Sequence, residues 1–199
     1  MHQIKVVVTG SYSAGKSQFI RTISDIEPVN TDYAVTLAEE RALKQETTVA
    51  LDFGTIAINN KLNLYLFGTP GQERFDFMWE HLADGCLGYI VLVDSCRPAQ
   101  LSETQRLMDR FAEITDAPFV VAANKQDDPS ALPPAYVRRR LGLPLDVPLL
   151  ACTGFERDSV KRVLLALLKQ VIATTTPPGA NNAKRRIKEM VCCTRCSRV

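Results

Sequence analysis

Gly10, Gly15, Lys16 and Ser17 stand at the spacing G-x-x-x-x-G-K-S within the stretch Gly10-Ser-Tyr-Ser-Ala-Gly-Lys-Ser17. Residues of these types at that spacing bind phosphate. Glycine lets the main chain approach the phosphate oxygens, and successive N–H groups with a helix N-terminus form an anion site. Lys16 is placed to reach the β- and γ-phosphates of a nucleotide, and the Ser17 hydroxyl to sit on Mg²⁺. Ser13, Ala14 and Gln18 belong to the same cradle. A Gly/Ser-rich turn without function would share this composition, but the flanks argue against it. The run Ile4-Lys-Val-Val-Val8 reads as a buried parallel strand, and Ser17 to Ser24, with Phe19, Ile20 and Ile23 spaced along one face, as a helix.

A second group lies far along the chain. Asn124-Lys-Gln-Asp127 follows the apolar strand Pro118 to Ala123. A carboxylate at Asp127 can accept hydrogen bonds from both N1–H and the exocyclic amine of guanine, and adenine offers no such pair of donors. Asn124 is expected to brace the surrounding loops, and the Lys125 stem to lie along the base. A third group, Gly68-Thr-Pro-Gly-Gln-Glu-Arg-Phe75, closes the alternating strand Lys61 to Phe67.

The elements that must position these groups alternate. Thr48 to about Ile58 reads as a strand, with a hairpin turn at Asn59-Asn60. A helix over 74–84, a buried strand from Cys86 to Asp94 and a helix from Gln100 to Ile114 follow. Pro134 to Leu141 is a short helix, Val147 to Cys152 a strand, and Ser159 to Ile172 a long amphipathic helix. Residues 25–48 carry no firm pattern beyond one short helix over Thr36 to Gln45; a loop that long in a compact domain is usually functional. Strands alternating with helices predict an α/β fold: a mostly parallel six-stranded sheet with one antiparallel edge strand and helices on both faces. Such sheets bind ligands at the C-terminal ends of their strands, where all three groups lie.

Taken together these segments resemble the Ras superfamily of small GTPases over roughly residues 3–173. Leu64 to Leu82, with Glu46 to Gly54, is similar to the prokaryotic branch: GTPases of bacterial conservon operons and, more distantly, MglA. The resemblance implies the P-loop G-domain fold, GTP/GDP and Mg²⁺ as ligands, and slow GTP hydrolysis in a regulatory switch. It also implies residue roles. Thr48, with Thr47 as the competing register, would join Ser17 on Mg²⁺ and sense the γ-phosphate. The Gly71 amide would meet the γ-phosphate, Gln72 would orient the attacking water, and Lys16 would stabilise charge. Thr153 and Gly154 stand where small GTPases carry S-A-K, so the Gly154 N–H would meet guanine O6. Regulators and effectors would engage the switch regions 25–48 and 68–80.

Three departures from the family pattern carry information. The usual D-x-x-G opens here with Gly68, which removes a carboxylate that holds Mg²⁺ through water. Tyr12 replaces a small residue where an activating arginine approaches, so an arginine supplied in cis, from Arg74 or Arg41, or intrinsically slow turnover is expected. The 32 residues from Lys16 to Thr48 leave room for an insertion in the first switch. Gly68 and Tyr12 motivate the alternative of a GTP-gated binding module that hydrolyses negligibly. A P-loop kinase or ATPase is disfavoured by Asn124-Lys-Gln-Asp127.

Bulk properties bound the rest. The 199 residues suit one domain over 1–174, a linker over 175–183 and a tail over 184–199. Of 24 basic and 22 acidic side chains, residues 181–199 hold six and one, leaving 18 against 21 in the first 180 residues. A net −3 there excludes a nucleic-acid surface. Lys184, Arg185, Arg186 and Lys188 beside Cys192, Cys193 and Cys196 resemble a polybasic patch with acylatable thiols, against the plainer reading of a disordered charged tail. Cys196-Ser-Arg-Val is a poor prenylation signal, and a zinc knuckle would lack a fourth ligand there. Cys86, Cys96 and Cys152 lie in or beside apolar segments and are expected as free thiols. No leader or 18-residue apolar run is legible, so the expected location is cytoplasmic, with peripheral membrane contact through the tail.

Overall fold

The computed structural model describes residues 2–26, 29–34, 48–59, 62–70 and 77–175. Its strands are β1 (His2–Gly10), β2 (Val29–Ala34), β3 (Thr48–Asn59), β4 (Leu62–Gly68), β5 (Gly88–Asp94), β6 (Phe119–Asn124) and β7 (Leu149–Ala151). Its helices are α1 (Lys16–Ile23), α2 (Phe77–Ala83), α3 (Leu101–Ile114), α4 (Pro134–Arg140) and α5 (Arg157–Thr175), with a 3₁₀ turn at Pro98–Gln100. One sheet runs in the order β2-β3-β4-β1-β5-β6-β7. β1 pairs in parallel with β4 and β5, and β6 with β5 and β7.

The six expected strands are all present, with β3 antiparallel to β4. A seventh, β2, adds antiparallel to the outer side of β3, so β3 is an inner strand rather than the edge. Element bounds shift by a few residues: α5 starts at Arg157 and continues through Thr175, into the stretch expected as linker. The short helix expected over Thr36 to Gln45, the hairpin residue Asn60 and the tail lie outside the described residues.

Period-two alternation in the central strands builds two cores. Val6, Val8, Ile90, Leu92, Val120 and Ala122 pack on Phe19 and Ile20 of α1 and Val160, Val163 and Leu167 of α5. Their neighbours in sequence, Val7, Tyr89, Val91, Val93, Val121 and Ala123, face the other way onto Trp79, Leu107, Phe111 and Val137 of α2, α3 and α4. A strand buried on both faces is why these runs read as continuously apolar. The sheet is thereby held rigid, and the C-terminal ends of β1, β6 and β7 come to one edge.

Candidate nucleotide-binding site

The loop from β1 to α1 is shaped by left-handed residues. Ser13 has φ 66° and Gly15 φ 99°. Alternating hands turn successive N–H groups inward, which makes a concave anion nest. Gly15 caps α1 without any side-chain hydrogen bond, so the first N–H groups of the helix are left to a ligand. A Cβ on Gly15 would come within 2.5 Å of Asn124 Nδ2, so both φ and space demand glycine there.

Lys16 is 8% exposed, and its Nζ donates to the carbonyls of Gly10 at 2.8 Å and Ser11 at 2.9 Å. Burial holds its ammonium down to about 8 from the ordinary 10.5, although Asp52 and then Glu103 pull it upward. A buried cation whose hydrogen bonds among the described residues go to two main-chain carbonyls, in a nest of N–H groups, fits an anionic ligand. Ser17 is exposed at the mouth of the loop, and its hydroxyl donates to Asp52 Oδ2 at 2.6 Å. Gln18, exposed beside it, donates from Nε2 to Thr22 Oγ1 at 3.1 Å.

The second group closes on the first. Asn124 is 3% exposed; its Nδ2 donates to Ala14 O at 2.8 Å, and its buried Oδ1 has no hydrogen-bond partner among the described residues. A Cβ on Gly154 would lie 3.1 Å from this same amide. Asn124 thus fills the space between the phosphate loop and the loop after β7. Lys125, with φ 65°, donates from Nζ to Asp94 Oδ2 at 2.6 Å, and the Cys96 N–H donates to the other oxygen of that buried carboxylate at 3.0 Å. Asp127 is exposed at the rim. The Thr153 N–H donates to Ser159 Oγ at 3.0 Å, and Gly154 O accepts from Thr22 Oγ1 at 2.7 Å.

Gly10, Ser13, Ala14, Gly15, Lys16, Ser17, Gln18, Asn124, Lys125, Asp127, Thr153 and Gly154 therefore converge on one edge of the sheet. Thr48 opens β3 opposite Ala34. Gly71, Gln72, Thr47, Arg41 and Arg74 lie outside the described residues. The last described step toward Gly71 is anchored: buried Thr69 shares a hydrogen bond with Thr9 Oγ1 at 2.9 Å, and its N–H donates to Val8 O at 2.9 Å.

Sequence reasoning missed Asp52, Asp94, Thr22 and Ser159. A charged residue closing the apolar run Gly88–Asp94 was a legible signal for Asp94. Asp52 had no such signal, because it matters through Ser17 and through Gly68 across the strand pair, both distant from it in sequence.

A family model described as "Conserved hypothetical ATP binding protein" matches residues 8–173, from the end of β1 through most of α5. The chain belongs to that family. The matched residues of this chain take in both the phosphate loop and Asn124-Lys-Gln-Asp127. The family chain is also 28% identical over 125 residues to an uncharacterised protein of Methanocaldococcus jannaschii, covering 63% of this chain and 71% of that one. It is 30% identical over 125 residues to ADP-ribosylation factor-related protein 1 of Bos taurus, covering 61% and 59%. It is 29% identical over 143 residues to human ADP-ribosylation factor-like protein 4C, covering 70% and 69%. Its fold is that of a solved small GTPase, Arl6 BBS3 of Trypanosoma brucei with bound GppNp, at TM-score 0.65 and 19% identity over 85% of this chain and 98% of that one. This is a Ras-superfamily small-GTPase fold with relatives of the ADP-ribosylation factor type in eukaryotes and an archaeal relative.

Proposed function

We propose that this chain binds GTP and GDP with Mg²⁺, hydrolyses GTP slowly, and works as a regulatory switch. The observation that carries the reading is Asn124. Its amide ties the Asn124-Lys-Gln-Asp127 turn to the phosphate loop at Ala14 O, which supports reading the two as one nucleotide site, with base recognition beside phosphate binding. The family's description names ATP, but Asp127 at the rim of that turn is the acceptor that guanine needs and adenine cannot use.

The residues present suit the nucleotide and its metal. Lys16 and the first N–H groups of α1 would hold the phosphates, and the Ser17 hydroxyl would face the metal, which when bound neutralises charge on the β- and γ-oxygens. Among the described residues no cluster of three His, Cys, Asp or Glu side chains forms a metal cage. Mg²⁺ needs none, since it keeps waters and takes phosphate oxygens with one or two protein ligands. Thr48 would complete the metal site, Gly71 would hold the γ-phosphate and Gln72 would orient water. Switch regions 25–48 and 68–80 would meet regulators and effectors. The Gly68-Thr-Pro-Gly-Gln run and Thr48 to Gly54 support a place in the prokaryotic branch, and the basic Cys-containing tail supports peripheral membrane contact from the cytoplasm.

The test is equilibrium binding of GTP, GDP and ATP with Mg²⁺, alongside turnover by the wild-type chain and Gln72→Ala. Guanine-selective binding with slow turnover that drops in Gln72→Ala is the expected result. Equal affinity for ATP would overturn it. A second reading, a GTP-gated module with negligible hydrolysis, is favoured by Tyr12, 61% exposed on the phosphate loop where an activating arginine would enter. Guanine binding with turnover no faster than in Gln72→Ala would select that reading.

A further inference from the structure

Gly68 and Asp52 are directly opposite each other across the antiparallel pair of β4 and β3. Directly opposed side chains share a face of the sheet, with Cβ atoms roughly 4.5–5.5 Å apart. A Cβ on Gly68 would lie 2.9 Å from Asp52 Cβ, 3.2 Å from Asp52 Oδ2 and 3.1 Å from Ile20 Cδ1. The space that an aspartate at position 68 would take is therefore already filled by the Asp52 side chain. Its carboxylate accepts the Ser17 hydroxyl at 2.6 Å. A hydroxyl has one proton and two lone pairs. With its proton on Asp52, Ser17 is left with its lone pairs free for a cation.

We propose that Asp52 is the outer carboxylate of the Mg²⁺ site, replacing from the neighbouring strand the one absent at Gly68. This deepens the GTPase reading and rests on it. The carboxylate orients the Ser17 oxygen and supplies the negative charge that a hard cation requires, without displacing the hydroxyl. The relocation moves the group from β4, which leads toward Gly71, to β3, whose first residue is Thr48. The metal's grip is thereby coupled to the strand that follows the first switch rather than to the one that precedes the second.

The test loads the full chain with a fluorescent GDP analogue and measures its release rate across a range of free Mg²⁺. Asp52→Asn keeps the shape and one acceptor oxygen but loses the charge. Loss of a metal's outer-shell partner commonly costs about 10–100-fold in affinity, so the Mg²⁺ concentration that half-slows release should rise by at least about tenfold. The paired exchange Asp52→Gly with Gly68→Asp returns a carboxylate from the other strand and frees the space for it, and recovery of Mg²⁺ sensitivity supports the assignment. Melting curves without nucleotide or metal check that each variant is folded. A folded Asp52→Asn with the wild-type Mg²⁺ midpoint overturns the Asp52 assignment and leaves the GTPase reading standing. A wild-type chain that does not retain the GDP analogue overturns both.

Discussion

Lys16 shows how one side chain carries conflicting demands. Its ammonium is folded back onto the Gly10 and Ser11 carbonyls of its own loop, and burial outweighs the pull of Asp52 and Glu103, holding its pKa down to about 8. A phosphate brought beside it favours the charged form and raises its pKa in the complex. The sign of the pH dependence follows. Below pH 8 the free chain already holds the proton. Above it, binding must take one up, and affinity falls by up to about tenfold per pH unit until the pKa of the complex is reached. Calorimetric titration of GDP at pH 8.5 in two buffers of different ionisation heat should therefore show net proton uptake, reduced at pH 7. The free thiols are quieter. Cys152 is buried, and desolvation pushes its pKa up to about 11, so it packs as a small apolar residue, as its place in the sequence implied.

At the scale of elements, the hairpin of β3 and β4 and the seating of α5 matter most. Pairing runs Asn59 to Leu62 and then Ala57 to Asn63, so β3 carries one extra residue, Ile58, against β4. That bulge sets which residue of β3 faces Gly68, and a shift of one would remove Asp52 from Ser17. Helix α5 approaches the sheet where β5 begins with glycine: a Cβ on Gly88 would lie 2.9 Å from Leu167 Cδ1. Leu167 is fully buried in the core under α1 and α5. Leu167→Ala should lower stability by about 2–5 kcal/mol, because the cavity opens against a residue with no side chain to relax into it. Urea unfolding at constant slope would measure this loss. Strand β2 went unseen in the sequence because Val29-Asn-Thr-Asp-Tyr-Ala34 offers only two large apolar residues, and its place rests on main-chain pairing with β3.

At the scale of the whole molecule, two loops separated by more than a hundred residues are made one site by Asn124. Asn124→Ala would strand Ala14 O, a buried acceptor, at a cost of about 1–3 kcal/mol, and would let the Asn124-Lys-Gln-Asp127 turn and the phosphate loop move apart. The expected outcome is weaker binding of GDP together with faster release, with inorganic phosphate binding much less changed; a loss confined to thermal stability would mean that the amide is only a structural prop. Local chemistry was determined by the sequence alone. The phosphate loop, the Asn124-Lys-Gln-Asp127 turn and the alternation of strands with helices are short-range patterns, in which residue type and spacing carry the physics directly. Both cores follow from period two in β1, β5 and β6 for the same reason. The tertiary structure decided what depends on register and on side chains meeting across the sheet. Asp52 stands opposite Gly68, Asp94 receives Lys125, and Thr22 reaches Gly154, none of which spacing along the chain can reveal. An absent carboxylate at one position of a sequence is a departure from a motif; in the folded sheet the same charge arrives from the adjacent strand, because opposed side chains on one face share a single volume.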